Sequence, residues 1–220
     1  MISAALKALR DLLSPEFRSV LFKAIGLTIG LFITVLVAVE ILLSTLTLLP
    51  WPWADTMLAV GTGVALFVAF FFLMAPVTAI FAGFFLDNIA ERVERLHYPR
   101  DVPGKPLGAA LAVLTALQFA LVVLVVNLAI LPAVFLAFGA VVLVAANAYL
   151  IAREYFEMIA MRHMPVAEAR ALRKENTPAV FAAGFIPAVL ALVPFINLAV
   201  PLFATAYFVH IFKKVAASSA

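Results

Sequence analysis

The sequence predicts an all-α integral membrane protein, with two long transmembrane helices, two helical hairpins, and short amphipathic cytoplasmic helices. Hydrophobic residues fill 66% of the 220 positions, charged residues fill only 12%, and the mean hydropathy is +1.17. Soluble domains are about half apolar and a quarter charged. Basic residues flank the apolar runs, a pattern typical of helices beside anionic lipid and not of a nucleic-acid-binding surface. The pattern predicts the lipid bilayer as a partner and no nucleic acid.

Residues 1–13 form an amphipathic pattern, which predicts an interfacial helix. We expect four leucines on its apolar face and three charged residues on the opposite face: Leu6, Leu9, Leu12 and Leu13 against Lys7, Arg10 and Asp11.

A long transmembrane helix is predicted over residues 16–49. Ser14 suits the N-cap and Pro15 the first helical position. The apolar stretch 24–49 is longer than the core of a signal peptide, so we expect an uncleaved membrane helix. Two tryptophans that alternate with prolines, Trp51 and Trp53, suit a membrane–water interface at its end.

A second long helix is predicted over residues 55–97, apolar to Leu86 and amphipathic afterwards, with a bend at Pro76. Each long helix has an apolar run of about 31 residues, or roughly 46 Å. A bilayer core is roughly 30 Å thick, so both helices must tilt, bend or project.

Two helical hairpins follow, over residues 107–152 and 178–212, separated by amphipathic cytoplasmic helices over 153–176. The first arm of the second hairpin, residues 178–193, spans only about 24 Å. A re-entrant hairpin and two full crossings both remain open, and the longer arms of 107–152 could do either.

The positive charges predict the topology. All 15 lysines and arginines lie in the N-terminal segment, 87–106, 153–176 or the C-terminus, whereas Glu40 and Asp55 are the acids elsewhere. The positive-inside rule places these four segments in the cytoplasm. We therefore expect a single membrane domain over residues 1–220, with both termini cytoplasmic.

The chain offers few groups for covalent or metal chemistry. It has no cysteine, and no Walker A, HExxH or GxSxG motif. His97, His163 and His210 lack the spacing of metal ligands, and we expect them at the membrane interface. The sequence thus predicts a protein that is not an enzyme and that uses no cofactor or metal.

Several segments resemble the CysZ sulfate permease family, within the etoposide-induced membrane protein superfamily. The Pro-Phe-Ile-Asn-Leu segment and the Arg-x-x-Arg before it are the most specific. The resemblance rests on Leu12-Leu13-Ser14-Pro15-Glu16-Phe17-Arg18, Ala75-Pro76, Phe84-Phe85-Leu86-Asp87, Ala90-Glu91-Arg92-Val93-Glu94, Glu154-Tyr155, Arg170-Ala171-Leu172-Arg173, Gly184, Val193-Pro194-Phe195-Ile196-Asn197-Leu198 and Pro201.

The resemblance implies partly penetrating hairpins, a homo-oligomer in a bacterial inner membrane, and uptake of sulfate or a related oxyanion for cysteine synthesis. It also implies an anion site at Phe17, Arg18 and Ser19, to which Lys23 could contribute. A helix start and a guanidinium suit a tetrahedral oxyanion. Glu16 replaces a glycine of the family pattern and Ser19 an arginine, and both changes should weaken anion binding. The alternative for Arg18 is a cationic side chain that reaches the lipid headgroups.

Three polar residues within apolar segments are further candidates for a proton or anion path. Glu40 could carry a proton, or it could reach the interface or another copy of the chain. Asn127 and Asn197 could line an anion path, or they could hydrogen-bond between helices. The alternative to a permease is a non-transporting protein of the same fold that shapes or organises the membrane.

Overall fold

The computed structural model describes residues 1–46, 56–58, 60–68, 70, 77, 85–130, 132, 138–193 and 195–219. Those residues form helices, turns and loops without any strand, so the predicted all-α fold class is confirmed. By length and composition, the described residues include three helices that could cross a membrane: Pro15–Leu42, Gly139–Ala160 and Ile196–Ser218. The protein is therefore a helical membrane protein.

The helices are numbered in chain order, and residues 56–58 and 60–68 are also helical. The numbered helices are α1 (Ile2–Leu12), α2 (Pro15–Leu46), α3 (Leu86–His97), α4 (Ala109–Ile130), α5 (Gly139–Ala160), α6 (Val166–Glu175), α7 (Thr177–Leu190) and α8 (Val200–Ser219), with a 3-10 helix over Ile196–Ala199 before α8.

Helix α8 forms the core of the first of two compact units, which comprises residues 1–18 and 85–220. Every residue from 200 to 212 is buried, because α1, α3, α5 and α7 all pack against this helix. Its aromatic side chains carry much of that packing: the ring of Phe208 stacks on Tyr155 at 6.3 Å, and that of Phe212 meets Phe156 edge to face. Such aromatic pairs stabilise a core beyond the apolar area they bury.

Helices α5 and α7 pack at close range, because a glycine lies in their interface. A Cβ on Gly184 would overlap the backbone carbonyl oxygen of Ala148 and would lie 2.8 Å from the Cβ of Ala152. Small residues on facing helices allow the two backbones to approach, a common device in membrane proteins.

Helix α1 packs on α8 through small residues and one acid. Ala4, Ala8 and Asp11 are buried, whereas Leu6 and Leu9 are exposed. Asp11 lies apart from the exposed leucines and, unlike Lys7 and Arg10, it is buried. Asp11 lies one turn after Ala8 on the same helix face, and its carboxylate has a buried partner on α3, which is described below.

The second compact unit, residues 19–84, contains most of α2. The α2 side chains are largely exposed, including Ile33 and Leu42. Thr28 and Thr34 donate their hydroxyl hydrogens to the carbonyls of Ala24 and Gly30, so these polar groups are satisfied within the helix. An apolar helix that exposes its side chains is compatible with lipid.

Several predictions fall on residues outside the described ranges. They include the interfacial Trp51 and Trp53, the start of the second helix at Asp55, its bend at Pro76, and Pro194 at the tip of the second hairpin. The predicted helix 55–97 is described at residues 56–58, 60–68, 70 and 77 and in α3, which begins at Leu86.

Candidate functional site

A tight turn joins α1 to α2. The backbone N–H of Ser14 donates to the carbonyl of Asp11 at 2.9 Å, and the N–H of Arg18 donates to the carbonyl of Ser14 at 3.1 Å. Pro15 is the first residue of α2, where its missing N–H costs no hydrogen bond. The turn therefore leaves the positive end of the α2 dipole beside α1 and α3.

A cleft of about 240 Å³ lies at this turn. Arg10 and Arg92 contribute two guanidinium groups to its walls, and Ser14 contributes a hydroxyl. Its lining residues come from α1, the turn, the start of α2 and α3: Arg10, Asp11, Ser14, Glu16, Phe17, Arg92, Val93 and Leu96. Two guanidiniums, a hydroxyl and a helix start suit a small oxyanion.

Glu16 already forms an ion pair with one of these cations, Arg92. The Nη2 of Arg92 donates to the Oε1 of Glu16 at 2.9 Å, across 76 positions of sequence. Both side chains are more than half exposed. An oxyanion that binds Arg92 must therefore compete with this carboxylate. Sequence reasoning identified Glu16 as a departure from the family pattern but not its partner, because no local spacing links the two residues.

The residues expected at the anion site lie in different environments. Phe17 is 2% exposed and lines the cleft. Arg18, Ser19 and Lys23 have exposed side chains on α2. The guanidinium groups that line the cleft belong to Arg10 and Arg92 instead of Arg18.

The expected path residues occupy separate elements. Glu40 is exposed on α2, and Asn197 is half-buried in the 3-10 helix. Asn127 lies in α4, and its side chain is outside the described part of the chain. The roles suggested for all three stay predictions.

A second group of cations surrounds Glu157 on α5. Arg173 donates through Nε to its Oε1 at 2.7 Å, while Arg170 and Arg153 approach at 3.5 Å and 3.6 Å. Arg170 also donates to Gln118 of α4 at 2.6 Å. Three guanidiniums around one carboxylate leave a local excess of positive charge, which attracts anions.

Glu94 on α3 is the centre of a buried polar network. Its Oε2 accepts the N–H of Gly104 at 3.0 Å, and its Oε1 lies 3.0 Å from the Nε2 of His163. Arg162 is also buried; it approaches Glu94 at 3.5 Å and pairs with Asp87. Burial alone would raise the pKa of Glu94, but the hydrogen bonds from His163 and Gly104 and the charge of Arg162 lower it to about 2. The network fastens the loop after α3 to the end of α5.

Two of the histidines lie close together inside the protein, and their expected depth at the membrane interface stays a prediction. His210 on α8 is 4% exposed. The Nε2 of His97 lies 2.9 Å from the Oδ2 of Asp11, and the ring centroids of His97 and His210 are 4.8 Å apart. Asp11, His97 and His210 come from three helices, which is why their sequence spacing gave no signal.

Comparison with known protein families gives one match. Residues 4–201 match the family described as sulfate transporter CysZ/etoposide-induced protein 2.4. No curated protein matches the chain. The family match covers most of the sequence, so the chain belongs to this family, a transporter-type membrane family. The resemblance noted in the sequence is confirmed.

Proposed function

We propose that this member of the sulfate transporter CysZ/etoposide-induced protein 2.4 family carries sulfate or a related oxyanion across a bacterial inner membrane, to supply cysteine synthesis. The observation that carries the proposal is the cleft at the start of α2. There the turn that resembles the family's sulfate-binding turn meets guanidinium groups from two other helices. The family match and the membrane-length helices support the same function.

The cleft has the chemistry for a tetrahedral dianion. Arg10 and Arg92 offer forked N–H donors, Ser14 offers a hydroxyl, and the start of α2 adds backbone N–H groups and a positive dipole. Arg18 on the first turn of α2 would add to the positive potential near the cleft. The exposed cleft admits water, so these contacts favour reversible binding, which a permease requires.

Glu16 sets the affinity in this proposal. In the family pattern a glycine at this position adds no charge, whereas here a carboxylate holds Arg92. Sulfate must displace that carboxylate and must also approach a negative charge. The site therefore binds sulfate more weakly than one built on the glycine pattern.

The charge distribution gives the proposed direction of transport. The cleft belongs to the basic segments that the positive-inside rule assigns to the cytoplasm, together with both termini. It would then receive the anion at the exit of an uptake path. We further propose a homo-oligomer that encloses this path, as the resemblance to the family implies.

Radiolabelled sulfate uptake into proteoliposomes tests the function. We expect uptake above that of empty vesicles for the unchanged chain and lower uptake for Arg92→Ala. Arg95→Ala is the matched control, since Arg95 is also on α3 and also pairs with an exposed glutamate, Glu91. Uptake equal to that of empty vesicles, with the pH gradient in either direction, would overturn the permease. Equal uptake by the two variants would overturn the cleft as its site.

A membrane-shaping protein is the second candidate, and one observation favours it. Helix α1 and the residue after it turn Leu6, Leu9 and Leu13 outward, at 62%, 47% and 70% exposure, which suits a helix inserted among lipid headgroups. In a membrane-shaping protein, the ion pair between Glu16 and Arg92 would join α2 to α3 and would not compete with a bound anion. Titration calorimetry that detects no sulfate binding, together with tubulation of vesicles that Leu6→Ser abolishes, would favour this candidate over the permease.

A further inference from the structure

Three potential metal ligands converge where α1 and α3 pack on α8. Asp11, His97 and His210 each offer one ligand atom, and these atoms all lie within 4.8 Å of one another. Asp11 and His210 are buried, and His97 is half-buried. A hydrogen bond from Nε2 of His97 to both oxygens of Asp11, at 3.1 and 2.9 Å, already holds two of them together.

The third potential ligand, His210, has a ring nitrogen that makes no hydrogen bond to the described residues. His210 is only 4% exposed, and its Nε2 has no hydrogen-bond partner among the described residues. Its Nδ1 lies 2.8 Å from the hydroxyl of Tyr98. When Nδ1 carries the hydrogen and donates it to Tyr98, Nε2 presents a free lone pair. An orphaned buried nitrogen costs free energy, and a bound cation would satisfy it.

We propose that Asp11, His97 and His210 form a binding site for a divalent transition-metal ion of the Zn²⁺ type. Two imidazole nitrogens and one carboxylate are a common ligand set for such ions, and a fourth position stays open for water. Tyr98 is a positioning residue, because its hydroxyl orients the ring of His210. This inference does not depend on the proposed transport function.

Binding requires small movements and a change of tautomer at His97. Zn²⁺ holds nitrogen and oxygen ligands at about 2.0–2.2 Å, so side chains now up to 4.8 Å apart must move inward by about 1 Å. The hydrogen that lies between His97 and Asp11 leaves Nε2, the neutral imidazole carries its hydrogen on Nδ1 instead, and the ion takes the vacated place with no net release of a proton. The bound ion would then tie α1 to α3 and α8, immediately before the turn at Ser14.

Metal titration of the full-length, tag-free chain in detergent tests the site. After chelator treatment, we expect one Zn²⁺ per chain by titration calorimetry, and visible absorption bands of a low-symmetry site with Co²⁺. Asp11→Asn and His97→Gln should each weaken Zn²⁺ binding by at least about tenfold, and Tyr98→Phe by about tenfold. His163→Gln is the matched control, because His163 pairs with Glu94 outside the cluster and is the remaining histidine of the chain.

The results of the titration distinguish a Zn²⁺ site at the cluster from binding of Zn²⁺ elsewhere on the chain. Stoichiometric binding that is lost in the cluster variants and kept in His163→Gln supports the proposal. Absence of Zn²⁺ and Co²⁺ binding to the folded, unchanged chain overturns it, and this result needs no variant to fold. Binding that survives Asp11→Asn and His97→Gln equally well also overturns it, because the ion then lies elsewhere.

Discussion

Glu94→Gln tests the buried network at the end of α3. Glutamine keeps the shape of the side chain but removes the charge, so it mimics the protonated glutamate. The folded-state pKa of Glu94 is lowered from 4.5 to about 2. A lowered carboxyl pKa stabilises the fold above pH 4.5, and this contribution is lost as the pH falls from 4.5 to about 2.

The magnitude follows from the pKa difference. Each pH unit of difference between the folded and unfolded pKa corresponds to about 1.4 kcal/mol, so the fall from 4.5 to about 2 corresponds to about 3 kcal/mol at neutral pH. Glu94 is 2% exposed, so solvent screens this contribution little. Removal of one partner from a buried ion pair costs a similar free energy of about 3–5 kcal/mol.

Equilibrium unfolding in mixed micelles, followed by circular dichroism at several pH values, measures the effect. We expect Glu94→Gln to be less stable than the unchanged chain by about 3 kcal/mol at pH 7, with the difference shrinking to zero near the folded pKa of about 2. Glu91→Gln is the control, since Glu91 is exposed on the same helix and pairs with Arg95. A difference at pH 7 no larger than that of the control, or one that does not change with pH, would refute the reasoning.

Two further predictions concern packing and anion binding. Gly184→Ala should lower the free energy of unfolding by about 1–3 kcal/mol, because its methyl group would overlap the carbonyl of Ala148. Gly26→Ala, which meets nothing within 4 Å, should leave stability unchanged or raise it by up to about 1 kcal/mol in the same unfolding assay. Glu16→Gln should raise sulfate affinity about two- to fivefold by calorimetry, because it frees Arg92 from an exposed ion pair. An affinity that stays the same would contradict the role given to Glu16.

The fold class and the helix start at Pro15 could be predicted from the sequence, for physical reasons. A chain that is 66% hydrophobic cannot cover its apolar surface in water, so composition alone indicates a membrane protein. The fixed φ of proline and its missing N–H mark the first position of a helix, and α2 begins at Pro15. These signals act locally and need no knowledge of tertiary contacts.

The candidate sites were harder to predict, because their contacts span long sequence distances. Arg92 meets Glu16 across 76 positions, and His97 meets Asp11 across 86. Only the packing of α1 and α3 on α8 brings these residues together, and no motif spacing encodes that packing. The burial of His210 depends on the same packing, so the sequence did not indicate it.

The burial of Asp11 shows how helix patterns should be interpreted in membrane proteins. In water, the apolar face of an amphipathic helix packs against the protein. In lipid, leucines gain little by leaving the hydrocarbon, and small residues that allow close approach form the helix contacts. Helix α1 follows the second rule, with Ala4 and Ala8 buried and Leu6 exposed. The face of α1 that packs against the protein therefore carries alanines and Asp11, whose carboxylate is paired with His97.

The same argument explains why α8, and not α2, is the buried helix. Both are apolar along most of their length, so hydropathy does not separate them. Helix α8 carries Thr205, Tyr207 and His210, all buried, whereas α2 carries the buried Thr28 together with the exposed Thr34 and Glu40. A polar side chain within the apolar thickness is tolerated where other helices surround it. Clusters of polar residues within an apolar segment thus indicate the interior of this protein better than its leucines do.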